Sequence, residues 1–421
     1  MPSTFDAFRH KSFRLLWPAN FFSYISRWMQ MTLLSWLVLE LTDSPFFVAL
    51  VGFFGMAPLL LFGAIGGVLA DRLNKRNLML TSQTINLLAS VGMIALLLSG
   101  RAEFWHAYVL VFITGLGWAF DMPSRRSILP DLVGQTGLTN AMALDSVGMH
   151  SSRMLGPTIA GALIALVGVT GGFFVVAGCM VVAIGFMAVV NMPPRRTLVA
   201  ASANIFKNMA EGFSYVRGNR VILATVIITV FMNLLLFPYM QMVPVISKHT
   251  LGVGPELMGL LMGADGFGAI IGSMTIASVG GMKYHGRVYL YGSLAGLIMC
   301  FAFAVSQNFA ASLVMLILLG LGTAGFGTMQ ATIIVLSAKE EMRGRALGVI
   351  SLAIGAGPIG ALIIGAIADI TSPATAIMIL TTIGFVTVGL VGIAMPQLRG
   401  QIVKSEPEPP DTARVAVQNA D

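Results

Sequence analysis

The sequence predicts an all-α membrane protein, with twelve transmembrane helices in two pseudo-symmetric six-helix bundles. Three observations predict it. Apolar residues make up 56% of the 421 and charged residues only 10%, with a mean hydropathy of +0.85, a balance that removes soluble, fibrous and nucleic-acid-binding classes. Lysine and arginine crowd into alternate loops. The second half of the chain repeats features of the first.

A hydrocarbon core of ~30 Å takes about 20 apolar residues per helix, and a helix satisfies its own backbone where no water can. Runs of that kind fall at 16–41, 46–70, 77–98, 104–122, 143–168, 171–191, 221–242, 256–279, 288–306, 309–336, 346–369 and 373–396. With this division the chain ends and the alternate loops hold 21 of the 25 Lys and Arg, whereas the opposite loops hold only Arg101 and Lys248. That asymmetry places both termini in the cytoplasm, in a multi-pass protein of the cell (inner) membrane. The net charge of +7 has the same origin and implies no nucleic-acid partner. Arg9, Lys11 and Arg14 precede the first run without a small-residue cleavage site after it, so no cleaved signal peptide is expected. Cys179 and Cys300 lie inside apolar runs and read as packing residues rather than a disulfide.

Four segments follow: a bundle over 1–191, a cytoplasmic linker over 192–220, a second bundle over 221–398 and a disordered tail over 399–421. The linker opens with Pro193-Pro194-Arg195-Arg196 and then sets Ile205, Phe206, Met209, Phe213 and Val216 on one face, the pattern of a helix lying on the inner membrane surface. Gly156-Pro157 recurs 201 residues later as Gly357-Pro358. These pairs, with Pro58 and Pro238, are expected to bend their helices. Gly259/Gly263 and Gly268/Gly272 suit close helix contacts. The tail carries Glu406-Pro407-Glu408-Pro409-Pro410 and is too polar to bury a core.

One short charged stretch divides two long apolar runs: Gly66-Gly67-Val68-Leu69-Ala70-Asp71-Arg72-Leu73-Asn74-Lys75-Arg76. Its charges must sit at a water interface. The spacing Gly67-x-x-x-Asp71-Arg72-x-Asn74-Lys75-Arg76 resembles the loop 2-3 signature of the major facilitator superfamily, with Asn74 where that family usually has Gly. Gly280-Gly281-Met282-Lys283-Tyr284-His285-Gly286-Arg287 occupies the matching slot in the second half and lacks the acid. Leu41-Thr42-Asp43-Ser44-Pro45, Phe120-Asp121-Met122-Pro123-Ser124-Arg125, Arg153-Met154-Leu155-Gly156-Pro157, Glu211-Gly212-Phe213-Ser214-Tyr215-Val216-Arg217 and Met342-Arg343-Gly344-Arg345 are similar to the macrolide-efflux and enterobactin-exporter-like drug:proton antiporter branch. The resemblance runs from about Phe8 to Pro396.

The resemblance implies the major facilitator fold and alternating access, with two bundles rocking about a site at the bilayer midplane. It implies secondary transport of a small molecule, drug-like or siderophore-like, with protons as coupling ion, membrane lipid as surroundings, no cofactor and a monomeric state. It also implies a conformational latch built from Gly67, Asp71, Arg72, Lys75, Arg76 and Asp121. In that latch Asp71 meets a base, Lys75, an acid closing span 4, Asp121, and the positive end of span 11, locking the outward-facing state. Arg126 stands where the branch often has Gln. An importer or lipid flippase on the same fold, or a transport-inactive sensor or scaffold, remain as alternatives.

Arg27, Arg153 and Asp265 each lie roughly ten residues in from a membrane face. A charge at that depth costs about 2.5 to 3.5 kcal/mol on the insertion scale, so these three must pair, change protonation or line water. Spans 1, 5 and 8 line the pathway in this fold, whereas spans 3, 6, 9 and 12 are peripheral and carry no ionisable residue in their interiors. Ser23, Arg27 and Gln30 share a face of span 1; His150 and Arg153 are one turn apart; Thr225, Thr229 and Asn233 form a stripe; Thr323 and Gln330 are two turns apart. The expected substrate cavity is therefore Ser23, Arg27, Gln30, Arg153, Asn233 and Gln330. Asp265 either couples protons or binds substrate, or else forms a structural ion pair with an arginine. Arg27 either binds an anionic or acceptor-rich group or pairs with Asp265, and Arg153 either packs spans 5 and 8 together or touches substrate. His150 is a second proton-coupling residue or a satisfied hydrogen-bonding one. Glu40 and Asp369 close spans at the outer face and read as solvated ends. No Gly-x-x-x-x-Gly-Lys-[Ser/Thr] loop is present, and no His/Cys cluster has metal-ligand spacing, so no metal site, ATP drive or enzyme activity is expected.

Overall fold

Turn residues cut the apolar runs into helices. Helix α1 (Lys11–Thr42) stops where Asp43 takes left-handed backbone, and Pro45 opens α2 (Pro45–Arg72). The Asn74 side chain accepts from the Asn77 N–H and caps α3 (Lys75–Leu98), satisfying one of the donors a helix start leaves open. The computed structural model describes residues 5–191, 205–279 and 282–402. Side chains of residues 64–72, 123, 126–127, 135–136, 139 and 205–208 lie outside the described set. So do the latch side chains Asp71 and Arg72 with Gly67, the motif residue Arg126, Gly280-Gly281, the basic start of the linker and the tail beyond Ile402.

Helix α4 (Phe104–Val189) leaves helical geometry at Gly134 (φ 68°) and Gly168 (φ 73°), conformations that favour glycine because they carry no Cβ penalty there. It therefore comprises helical segments 104–133, 135–167 and 169–189. After α5 (Ile205–Gly218), α6 (Arg220–Phe231) continues through a π-turn at Met232–Leu236 and Pro238 into α7 (Tyr239–His249). There follow α8 (Pro255–Ser278), α9 (His285–Val305), α10 (Phe309–Ser337), α11 (Arg343–Ile354), α12 (Gly357–Ile370) and α13 (Pro373–Ala394). Among the described residues there is no strand, and nine helical stretches are long and apolar enough to cross a bilayer.

Two boundaries differ from the sequence reading. The runs drawn as 104–122 and 143–168 extend to meet at Gly134, because Asp121 and Arg125 neutralise each other inside the helix instead of ending it. Gly156-Pro157 does not break its segment either: both residues stay within helical α4, and a Cβ on Gly156 would strike Trp28 of α1. The pair is a close crossing. Gly357-Pro358 does sit at a break, opening α12 with proline in its first turn after α11 ends at Ile354, where proline's missing N–H costs nothing.

Helices α1, α2 and α3 pack on α4, and α8, α9, α10, α12 and α13 pack among themselves. The two groups meet where α4 touches α8 and where α2 touches α12 and α7. Glycine spacing on α8 sets the geometry. Gly259 and Gly263 face the α4 backbone at Pro157, Gly161 and Met154, whereas Gly268 and Gly272 face α10 at Ile317, Leu321 and Ala324. Close approach at such positions replaces the hydrophobic driving force that lipid removes.

The face predicted for the linker helix is divided. Gly212 and Val216 of α5 pack on α11, and Arg345 pairs with Glu211 at 2.9 Å, while Phe213 is exposed. Cys300 is buried, Cys179 half-buried, and both are free thiols.

Gly268→Val should overpack the α8–α10 crossing and destabilise the protein by about 1–3 kcal/mol. Gly178→Ala, whose Cβ would meet nothing within 4 Å, should be silent. Fluorescence-monitored melting in detergent distinguishes the two.

Candidate functional site

Helix α4 carries Arg153, α8 carries Asp265 and α7 carries Tyr239, and the three meet where the two helix groups cross. Arg153 Nη2 donates to Asp265 Oδ2, and the Tyr239 hydroxyl donates to the same oxygen at 2.9 Å. Asp265 is 1% exposed. The guanidinium lies 5.6 Å from the Trp28 ring centre and 3.6 Å from Met240 Sδ. Asp265 Oδ1 and Arg153 Nε, both buried, have no hydrogen-bond partner among the described residues. Breaking such a pair by removing one member typically costs about 3–5 kcal/mol. Of the two sequence readings of Asp265, the ion pair is the one observed, and its partner is Arg153 rather than Arg27. His150, one turn before Arg153, lies within electrostatic reach of both charges.

Arg27 sits instead in a polar cluster between α1, α3 and α4. Its guanidinium carbon is 4.7 Å from the Trp118 ring centre, with the Thr114 and Gly55 carbonyls each 3.4 Å from its nitrogens. Arg125, 1% exposed, pairs with Asp121 one turn before it and donates to Asn20 Oδ1 and to Ser23 Oγ, the latter at 3.1 Å. Asn20 and Tyr24 in turn donate to the two oxygens of Asp145, at 2.8 and 3.3 Å. Ser23, Arg27, Gln30, Gln83, Asn86, Thr114, Trp118, Asp121 and Met180 line a small cavity of about 20 Å³. Gln30 donates to Ser90 Oγ at 3.2 Å.

The shared face of Ser23, Arg27 and Gln30 is thus found as drawn. Gln83 and Asn86 were missed, because the cost argument notices only ionisable groups and span 3 was expected to be peripheral. Their signal was the spacing Gln83, Asn86, Ser90. Arg125 was missed as a buried residue because it was drawn in a loop.

In the other group Gln330 donates to Thr229 Oγ1 at 2.8 Å, Thr229 lies 2.9 Å from the Tyr289 hydroxyl, and Asn233 donates to the Thr229 carbonyl at 2.9 Å. These residues form a closed neutral network joining α6, the π-turn, α9 and α10. Thr323 bonds only its own helix, at the Gly320 carbonyl.

Near the basic face, Lys75 pairs with Asp131 at 2.9 Å, and Arg76 donates to the Met187 and Ala188 carbonyls. At the opposite face the helix groups are tied together. Lys248 reaches Asp43 at 2.6 Å, His249 lies 3.2 Å from the same oxygen, and Ser44 donates to Asp369 at 2.9 Å. Asp369 is therefore a cross-group acceptor rather than only a solvated end, while Glu40 accepts from Trp36 of its own helix. The Lys248 hydrogen bond, helped by His249, holds the Asp43 carboxyl below its ordinary value of 3.8.

Two charged clusters thus lie within the helices, one of them joining the two helix groups, and ion pairs tie the groups across one face. A family model described as transmembrane secretion effector matches residues 2–418. The chain belongs to this family of major facilitator transporters. It is similar to the staphyloferrin A transporter of Staphylococcus aureus (24% identity, 84% of this chain and 88% of that one). It is likewise similar to the multidrug efflux pump Tap of Mycolicibacterium fortuitum (25%, 88% and 92%) and to macrolide efflux protein A of Streptococcus pyogenes (23%, 85% and 89%). Its fold is shared with the nucleoside transporter NupG (TM-score 0.70, 14% identity, 92% and 99% covered). A bacterial homologue of the human lysosomal transporter Spinster, inward-facing and occupied, gives 0.73 at 13% identity, with 93% and 97% covered. The family and these relatives are transporters, not enzymes.

Lys248→Met should return the Asp43 carboxyl towards its ordinary value, read by carbon NMR of labelled aspartate. In the wild type the contact is present above the lowered Asp43 value and is lost as pH falls through it. An unchanged Asp43 titration in the variant would refute that cause.

Proposed function

We propose that the chain is a proton-coupled exporter of amphipathic small molecules, drug-like or siderophore-like, working by alternating access as a monomer in the cell (inner) membrane with both termini cytoplasmic. Twelve crossings follow if the three segments of α4 each cross once and the pairs α6/α7 and α11/α12 each make one crossing. Six then belong to 1–191 and six to 221–398.

The observation that carries this reading is the Arg153–Asp265 pair, held between the two groups and sealed by Tyr239. A proton on Asp265 would cancel the attraction that ties α4 to α8, so proton binding and the relative position of the bundles are linked. The ties at Asp43 and Ser44 close the face opposite the basic loops, which supports an inward-open state. Lys75 bound to Asp131 fits a latch whose work lies in the opposite state. Two of the relatives are efflux proteins, which supports export.

In proteoliposomes with an imposed pH gradient, Asp265→Asn should lose gradient-driven accumulation of a fluorescent pump substrate by tenfold or more while keeping downhill exchange. Asp265→Asn equal to wild type would overturn the coupling role. Accumulation in the opposite sense would make the chain an importer.

A further inference from the structure

The small cavity in the first helix group is built differently from a packing defect. Four polar atoms on three of its lining residues have no hydrogen-bond partner among the described residues: Gln83 Oε1, Gln83 Nε2, Asn86 Oδ1 and Asp121 Oδ1. Gln83 is 2% exposed and Asp121 5%. Leaving buried groups unpaired costs about 1–3 kcal/mol each, yet apolar packing would have needed only leucines at 83 and 86. The cavity volume of about 20 Å³ is room for one water. One water can donate to Asp121 Oδ1 and an amide oxygen while accepting from Gln83 Nε2, the two to four partners a buried water requires. Gly117 presses the site together: a Cβ there would meet Ser82 Oγ at 2.7 Å and Asn86 Oδ1 at 3.1 Å.

Among the described residues the charges around it are Asp121, Arg125, Arg27 and Asp145, with the Tyr24 hydroxyl; α3 lines it with the amides of Gln83 and Asn86. Two cations face two anions, so the cluster is neutral as it stands. A metal ion in the cavity would lie beside Arg27 and raise that charge by a unit or more with few ligands to offset it. A proton adds one charge that Asp121 takes up as a covalent O–H bond.

We propose that this cavity is a water-served proton-binding site of the first bundle, with Asp121 as the group that takes the proton. The water passes a proton to Asp121 Oδ1 and regains one from solvent, for a net uptake of one. Arg125 then loses its counter-charge but keeps Asn20 and Ser23 as hydrogen-bond acceptors, so its N–H groups stay partnered while the cluster gains one positive charge. The resulting change falls on the Asn20–Asp145 contact, which joins α1 to segment 135–167 of α4, the segment that also carries Arg153. The inference rests on the proton-coupled reading above, but it assigns a proton to a carboxylate that lies outside the Arg153–Asp265 pair.

The test is pH-difference infrared spectroscopy of the full-length protein in lipid, reading the carbonyl stretch of a buried carboxylic acid. Beside the band of Asp265 itself, wild type should show a second titrating band that is absent in Asp121→Asn and retained in Asp265→Asn. Gln83→Leu and Asn86→Leu, which remove the water's partners without removing the acid, should change the proton affinity of that band by about tenfold, the scale of a hydrogen bond to a charged group. If the only titrating band is the one lost in Asp265→Asn, the inference is overturned and the coupling role of Asp265 stands. No titrating band in any protein overturns both. A midpoint that follows sodium concentration makes the cavity a cation site and overturns the inference. If Asp121→Asn does not fold, an unchanged midpoint in both leucine variants overturns it.

Discussion

A carboxylate and a guanidinium can be kept at the crossing of two membrane helices only if each neutralises the other and neither meets lipid. Arg153 and Asp265 satisfy that condition because glycines bring their helices together. On one side of α8, Gly259, Gly263 and Gly266 lie against the α4 backbone. On the other, Gly320 of α10 lies directly over the Asp265 carbonyl. Asp265 is thus on a helix held from two sides, and its carboxylate has one direction in which to find a partner. Without that packing the pair would cost what two isolated charges cost in hydrocarbon.

The two helix groups handle polar groups in different ways. The first concentrates its buried charge in one cluster, where Arg125 binds Asp121, Asn20 and Ser23 and where Asp145 collects two further donors. The second uses neutral groups only, with Thr229, Tyr289 and Gln330 satisfying one another, and Asp265 faces away from that network towards the first group. This asymmetry agrees with the eroded repeat, since the matching loop in the second half has lost its acid. Buried charge is therefore placed in the first helix group and on its boundary with the second.

Much of this was legible in the sequence, for a physical reason. Membrane depth makes every charge conspicuous, so Arg27, Arg153 and Asp265 were identifiable as groups that had to be paired or wet. Period and spacing placed Ser23, Arg27 and Gln30 on one face and marked the glycines of α8 as contact points. What escaped were groups whose cost is hidden. Gln83 and Asn86 carry no charge, and Arg125 lay where hydropathy had already fallen, so it looked like an ordinary inside cation. Pairing was read only in part: Arg153 was expected to pack spans 5 and 8 together and Arg27 was the arginine weighed as partner of Asp265, and only the helix crossing assigns Asp265 to Arg153. Gly156-Pro157 showed a further limit: a pair read for its bend also serves close packing, because Trp28 of a neighbouring helix needs the space.

The contacts at Asp43, Ser44, Lys248 and Asp369 tie the helix groups at one face, and the Arg153–Asp265 pair ties them again between α4 and α8, so the proposed alternating access is opposed movement of the two faces. Spin labels at Arg101 and Thr371 report the closed face, and labels at Leu73 and Glu341 report the basic one, all four positions being exposed. Electron–electron distance measurements on the two pairs, at high and at low pH, test the claim most directly. The account predicts that one distance lengthens as the other shortens, and that Asp265→Asn fixes both at their low-pH values. Distances that change together, or that respond to pH equally well in Asp265→Asn, would contradict it.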